Sequence, residues 1–428
     1  MSTDDEQINS EVAKFNTEKE RLTNDIKTAF DDVVDEFCNI PQIISKIERW
    51  KKEQNDSYVQ AYIGLCLPRF LTPLIKVQLA VWNPLEQYCR NFEKLPWYQD
   101  LLNYGTIKEN SINKIETESK SLEKPISQNS NNNDVTVNGD DLSSTTTTTT
   151  TAAAATTTTT TSTANDKNSD NNVNDVNGRG KMVYDDAGDE EDMDIKLIPN
   201  IVDKLLLPRI NGLVESVWDP MSLQQTTNLS NVIKQVTVDY PIEAAQSKSL
   251  QSLICSINKR IMKSINDDLF IPLYPKSVLE NKTSESTMFF NRQVYSCLKL
   301  MKSIVLWQNV ISDQQLQSLT LDKILNRYLM IAMSSAPANI ELISLCQKIS
   351  QLIPQEWFTE YMEGITLPQL ENFCKFIVTW ATNLKAQMKS NSDAKEQIKQ
   401  LGRILLRLHA EAHATALSKL IGFKITIN

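Results

Sequence analysis

Residues 58–85 read YVQAYIGLCLPRFLTPLIKVQLAVWNPL, and this stretch decides the fold class. It is dense in apolar residues, yet Pro68, Pro73, Arg69 and Lys76 interrupt it. A bilayer span does not carry two prolines and two cations in its middle, so the run reads as core and not as a membrane segment. A pair of buried helices with fixed kinks, stopped hard at Trp82-Asn83-Pro84, is the pattern it predicts. The same words return at residues 206–220, LLPRINGLVESVWDP. Leu207-Pro208-Arg209 echoes Leu67-Pro68-Arg69, and Trp218-Asp219-Pro220 echoes Trp82-Asn83-Pro84. Either the domain holds two related helical units or the echo is chance, since a repeat array needs about three copies to be self-evident.

Composition points the same way. Only 10 of 428 residues are glycine, against an average near 7 %. Phosphate-cradling loops and tight βα turns need glycine, and neither GxGxxG nor GxxxxGK[ST] occurs. Scarce glycine with abundant Leu, Ile, Lys, Gln and Glu predicts an all-α protein, an irregular stack of antiparallel helices. The seven cysteines include no CxxC pair, which fits reduced thiols in the cytosol or nucleus better than a secreted disulfide framework. The acidic, polar start MSTDDEQINSEV is not a signal peptide.

Four segments follow along the chain. Residues 1–39 hold a coiled-coil-like helix, because Ile8, Val12, Phe15, Lys19, Leu22, Ile26, Ala29 and Val33 alternate spacings of four and three over residues 6–38. That seam predicts helix–helix pairing; the alternative is an amphipathic helix packed on its own domain. Residues 40–105 form a first helical block, with Pro41 opening one helix and another running from Pro84 through Leu85, Tyr88 and Phe92 to Pro96. Residues 106–194 carry asparagine-rich stretches, threonine runs at 145–151 and 156–161, and DDAGDEEDMD at 185–194. With few large apolar side chains this segment cannot offset its chain entropy, and it is predicted to be a disordered, solvated linker. The overall charge of −9 belongs to it, so the rest of the chain is close to neutral. Residues 195–428 resume the helical pattern, near 197–217, 222–238, 246–268, 288–312, 317–334, 339–352, 367–388 and 393–420. Residues 423–427 alternate as a strand would.

Chemistry-bearing constellations are few. The two histidines stand in HAEAH, His409 and His413, four apart on one helical face. The metalloprotease pattern sets the acid beside the first histidine, whereas Glu411 points away and no third ligand is evident. No GxSxG surrounds a serine. The chain therefore reads as a non-enzyme without metal or cofactor. Lys395, Lys399, Arg403 and Arg407 line one face of the last helix opposite Ile398, Leu401, Leu405 and Leu408. Such a face can meet nucleic-acid phosphate, or can simply be the solvated side of a core helix. Trp50, Tyr62, Trp82, Trp97 and Trp218 are candidate partner-binding residues; aromatics at helical spacing are also ordinary core.

Residues 31–105 carry a resemblance. Glu48-Arg49-Trp50, Ser57-Tyr58, Ala61-Tyr62, Leu65-Cys66-Leu67-Pro68, Pro73-Leu74, Trp82-Asn83-Pro84-Leu85 and Pro96-Trp97-Tyr98 resemble the C-terminal domain of the GC-rich sequence DNA-binding factor-like family. Trp218-Asp219-Pro220-Met221-Ser222 and Thr226 resemble a second element of it. Beyond about residue 240 the likeness is of helical texture only. Family members carry a long charged N-terminal half that precedes the region seen here. The resemblance implies a nuclear interaction scaffold of pre-mRNA splicing, in the late or disassembling spliceosome, whose partners are spliceosomal proteins, without catalytic residues. The alternative it implies is a DNA-binding transcription regulator, with RNA or DNA held by the C-terminal basic helix.

Overall fold

The computed structural model describes residues 3–102, 104, 194–240, 247–359, 364–386 and 393–422, leaving aside the side chains of residues 3–9, 11 and 12. Among them every regular element is helical. Residues 106–193 of the predicted linker and the alternating stretch 423–427 lie outside the described residues, whereas Asp194, its last predicted residue, is described.

The first block runs α1 (Thr3–Thr28), α2 (Asp35–Cys38), α3 (Ile40–Glu53), α4 (Asn55–Gln60), α5 (Ile63–Ala80) and α6 (Pro96–Leu101). The long helix expected over 6–38 stops at Thr28, and turns lead to α2. Asn39 starts α3, its side-chain oxygen accepting the Gln42 N–H at 3.3 Å, with Pro41 in the first turn where a missing donor costs nothing. The break between α4 and α5 falls at Tyr62, whose φ of 52° is left-handed, and not at the prolines. Pro68 and Pro73 lie inside α5. The helix expected from Pro84 to Pro96 is instead a set of turns and a short 3₁₀ piece, Phe92–Lys94.

In the second block Leu197–Ile201, Val202–Leu206 and Leu207–Ser216 form one continuous helix, α7. Its middle widens to π-type bonding just ahead of Pro208, where the Leu207 N–H reaches back to the Val202 carbonyl. Proline has no donor and its ring crowds the carbonyl four residues earlier, so a widened turn gives it room. Then come α8 (Leu223–Asp239), α9 (Lys248–Asp267), α10 (Lys276–Leu279) and α11 (Glu285–Val305). Asp313–Gln317, Ser318–Leu329 and Met330–Ser335 make α12, again π-bonded in the middle, followed by α13 (Ile340–Leu352), α14 (Glu371–Ala386), α15 (Ala394–Arg407) and α16 (Glu411–Ile421). The single helix expected over 393–420 is two, because Leu408, His409 and Ala410 turn, with His409 at φ 54°.

Both halves share one core. α5 packs on the N-terminal part of α7, α3 on α6, α9 on α7, α8 on α11, and α14 on both α15 and α16. The echoed words build the same corner twice. Trp82 and Trp218 are both buried, each just past the end of its helix. Each indole N–H donates to a residue eight positions on, Trp82 to the Arg90 carbonyl at 2.8 Å and Trp218 to Thr226 Oγ1 at 3.2 Å. Each following Asx side chain accepts the N–H two residues later, Asn83 from Leu85 at 3.0 Å and Asp219 from Met221 at 2.9 Å. The Arg209 guanidinium then donates to the Ala80 carbonyl at 3.0 Å, tying the second unit to the end of the first.

Candidate partner-binding surface

The structure sorts the five aromatic candidates by burial. Trp82, Trp97 and Trp218 are core residues, so the expectation that they line partner grooves is corrected: each ring is covered from within. Trp218 packs edge-on against Trp307, with centroids 5.5 Å apart. The Trp97 backbone N–H donates to Gln78 Oε1 at 2.9 Å and joins α6 to α5. Trp50 is half-buried, its ring meeting that of Tyr58 edge-on at 6.2 Å. Only Tyr62, 67 % exposed, stands out from the surface.

Tyr62 heads a wider apolar face. α5 buries Ile63, Leu67, Leu71, Leu74, Ile75 and Leu79, while Leu65, Cys66, Phe70 and Pro73 point outward with Arg69 and Lys76. Phe70 is 65 % exposed. A helix that is apolar all round is normally enclosed on every side; α5 is enclosed on one. By length and composition alone α5 could cross a membrane; its inner face sits in the core of the helical body. A contiguous exposed apolar strip marks a place where another macromolecule binds. α1 adds two further exposed apolar side chains. Phe15 and Leu22 of its seam are exposed, Lys19 is spent on Glu86 of the body at 2.6 Å, and Phe30 beyond its end rests against the core.

A buried polar knot supports this block from below. The Asp194 carboxylate, 2 % exposed, accepts hydrogen bonds from the Tyr58 hydroxyl at 2.6 Å and the Tyr104 hydroxyl at 3.2 Å, and pairs with Lys51. Burial, then the Tyr58 hydrogen bond, pushes the Tyr104 phenol well above its ordinary range, so it keeps its proton and donates. Sequence reasoning placed Asp194 in the solvated linker. As the last of seven acids in ten residues it carries no sign that distinguishes it.

The basic line of α15 is largely spent inside the molecule. Glu396 Oε2 pairs with Lys399 and Glu396 Oε1 with Arg403, each at 3.3 Å. Arg407 Nε donates to the Ser350 carbonyl at 3.1 Å, pinning α15 to α13, and Lys395 is exposed. The histidines do not share a helix. His409 stacks on Phe358 at 4.6 Å in the break, and His413 Nε2 lies 3.4 Å from Glu371.

The family described as GC-rich sequence DNA-binding factor-like protein matches residues 40–172 and 185–332. This chain belongs to that family. The human PAX3- and PAX7-binding protein 1 is 30 % identical over 424 residues, 98 % of this chain and 38 % of the relative. The mouse Intron Large complex component GCFC2 is 31 % identical over 417 residues, 97 % of this chain and 44 % of the relative. The Arabidopsis thaliana Transcriptional repressor ILP1 is 21 % identical over 393 residues, 90 % of this chain and 34 % of the relative. The chain thus spans well under half the length of these relatives. The likeness also runs past residue 240, where the legible sequence words give out.

Proposed function

We propose that this chain is a non-enzymatic nuclear scaffold that holds protein partners of the pre-mRNA splicing machinery, in the late or disassembling spliceosome. The observation that carries the reading is the outward apolar face of α5, which a self-contained helical body has no reason to leave uncovered. Membership of the family, and a relative named as a component of an intron complex, supply the setting. Tyr62, Leu65 and Phe70 are the anchors, and the α1 seam at Phe15 and Leu22 is a second contact for a partner helix. Crosslinking mass spectrometry after immunoprecipitation from nuclear extract tests it. Spliceosomal proteins are expected, with crosslinks to α1 and α5, and with loss of recovery on Tyr62→Ser/Phe70→Ser at unchanged melting temperature. Recovery of no spliceosomal protein or RNA refutes it.

A second reading, a DNA-binding transcription regulator, is favoured by the family's description and by the plant relative's name. Its contact would be Lys395, Lys399, Arg403 and Arg407. Glu396 already neutralises two of these, which lowers the number of phosphates the face can hold. A gel shift that survives moderate salt would support this reading over the first.

A further inference from the structure

The segment joining α9 to α10 is an extended, proline-bearing connection among the described residues. Residues 267–276 read DDLFIPLYPK. Pro272 and Pro275 fix their own φ and push Ile271 and Tyr274 towards extended conformations, so the sequence itself enforces a stretched chain. Pro275 sits at φ −58°, ψ 144°, the polyproline II region. Leu269, Ile271 and Pro272 turn inward and are buried. Phe270 and Leu273 turn outward, 60 % and 75 % exposed. A spacing of three puts them on one edge of a polyproline II helix, about 9 Å apart along its axis.

The backbone here is unengaged as well. Among the described residues, 269–274 make no backbone hydrogen bond to any other part of the chain. Phe270 and Leu273 therefore offer both an apolar side chain and a free N–H and C=O. The flanking charges have a polarity: Asp267 at one end and Lys276 at the other are exposed, and neither forms an ion pair. Large apolar groups on a rigid, pre-extended chain lose little conformational freedom when they dock.

We propose that residues 269–274 are a linear docking element for a partner protein. The partner offers an apolar groove with hydrogen-bonding groups at its rim, with a cation to meet Asp267 and an anion to meet Lys276. Phe270 and Leu273 enter the groove along one edge of the extended chain, and their free backbone N–H and C=O groups bond to the rim. This surface goes beyond the scaffold reading, because it lies in the second block and uses no residue of α1 or α5.

The test places the photoreactive p-benzoylphenylalanine at position 270 of the full chain, and in a separate sample at position 62, and irradiates both in nuclear extract. Crosslinks from 270 are expected on one protein, inside an apolar groove. With that protein purified, Phe270→Ser/Leu273→Ser should weaken binding at least about ten-fold with the melting temperature unchanged. Lys276→Glu should weaken it less, by an amount that high salt removes. Crosslinks from 270 that return only to this chain or to a second copy of it overturn the proposal. So does wild-type affinity in the double serine variant, or silence from 270 while 62 reports. Silence from 62 alone counts against the scaffold face and leaves this element standing.

Discussion

Replacing Asp194 by alanine tests the central joint of the body. The carboxylate is 2 % exposed and the Lys51 side chain 21 %, so this pair is shielded from water on the acid's side. Removing the acid leaves an ammonium and two phenols, those of Tyr58 and Tyr104, without their shared acceptor. Deleting one partner of a buried pair costs about 3–5 kcal/mol, and the part-exposed Lys51, which also lies 5.4 Å from the Tyr58 ring centre, sets this pair towards the lower end. If only neutral hydrogen bonds were at stake, two of them would amount to about 1–3 kcal/mol. Urea unfolding followed by tryptophan fluorescence separates the two cases. Asp194→Asn keeps the volume and one acceptor and should fall between wild type and alanine. Lys51→Met with Asp194→Leu removes both charges in similar shapes, and should recover part of the alanine loss. An Asp194→Ala variant within about 0.5 kcal/mol of wild type, as for a surface residue, would refute the reasoning.

The Trp82 ring is buried and its N–H is bonded, so Trp82→Ala should cost roughly 3–5 kcal/mol in the same assay, and Trp218→Ala a similar amount; a near-neutral result would mean that the ring is free to leave the core. Burial pushes the thiols of Cys297, Cys346 and Cys374 up from 9.0 to about 12. Their contribution to stability is complete below pH 9, where folded and unfolded thiols are both protonated. It should fall between pH 9 and 12, where only the unfolded thiols ionise, by up to about 1.4 kcal/mol per pH unit for each. A flat urea midpoint across that window contradicts it. In the native state Cys66 and Cys255 should react with a thiol reagent, and those three only after unfolding. Deleting residues 110–190 should leave the circular dichroism spectrum and melting temperature of the body intact; a collapse would show that the segment contributes to the core.

Much of the fold was legible because burial imposes a period on the sequence. The α8, α9 and α13 helices fall within two residues of their expected bounds, since each has an apolar stripe and a Ser or Asn cap that fixes its start. The echo between 67–84 and 207–220 was legible as words, and the shared indole and Asx bonds explain why those words recur. Three things were not legible. Whether a tryptophan faces core or solvent depends on what covers it, and Trp218 is covered by Trp307, far along the chain. Asp194 is shielded from water by contacts with Tyr58 and Tyr104, which local composition does not encode. The break at His409 has no glycine or proline to announce it; there the Phe358 ring stacks on the imidazole, a contact made across the fold that local sequence does not encode.

The meeting of Tyr104 with Asp194 has a consequence for how the gene can change. The two residues are ninety positions apart yet within hydrogen-bond reach, so the scaffold has already drawn the ends of the intervening stretch together. Closing a longer stretch between fixed ends costs only about 0.6 kcal/mol more for each doubling. Lengthening the chain between these two residues should therefore cost the helices little stability, which thermal melting of a lengthened chain checks. The same port would accept a reporter domain.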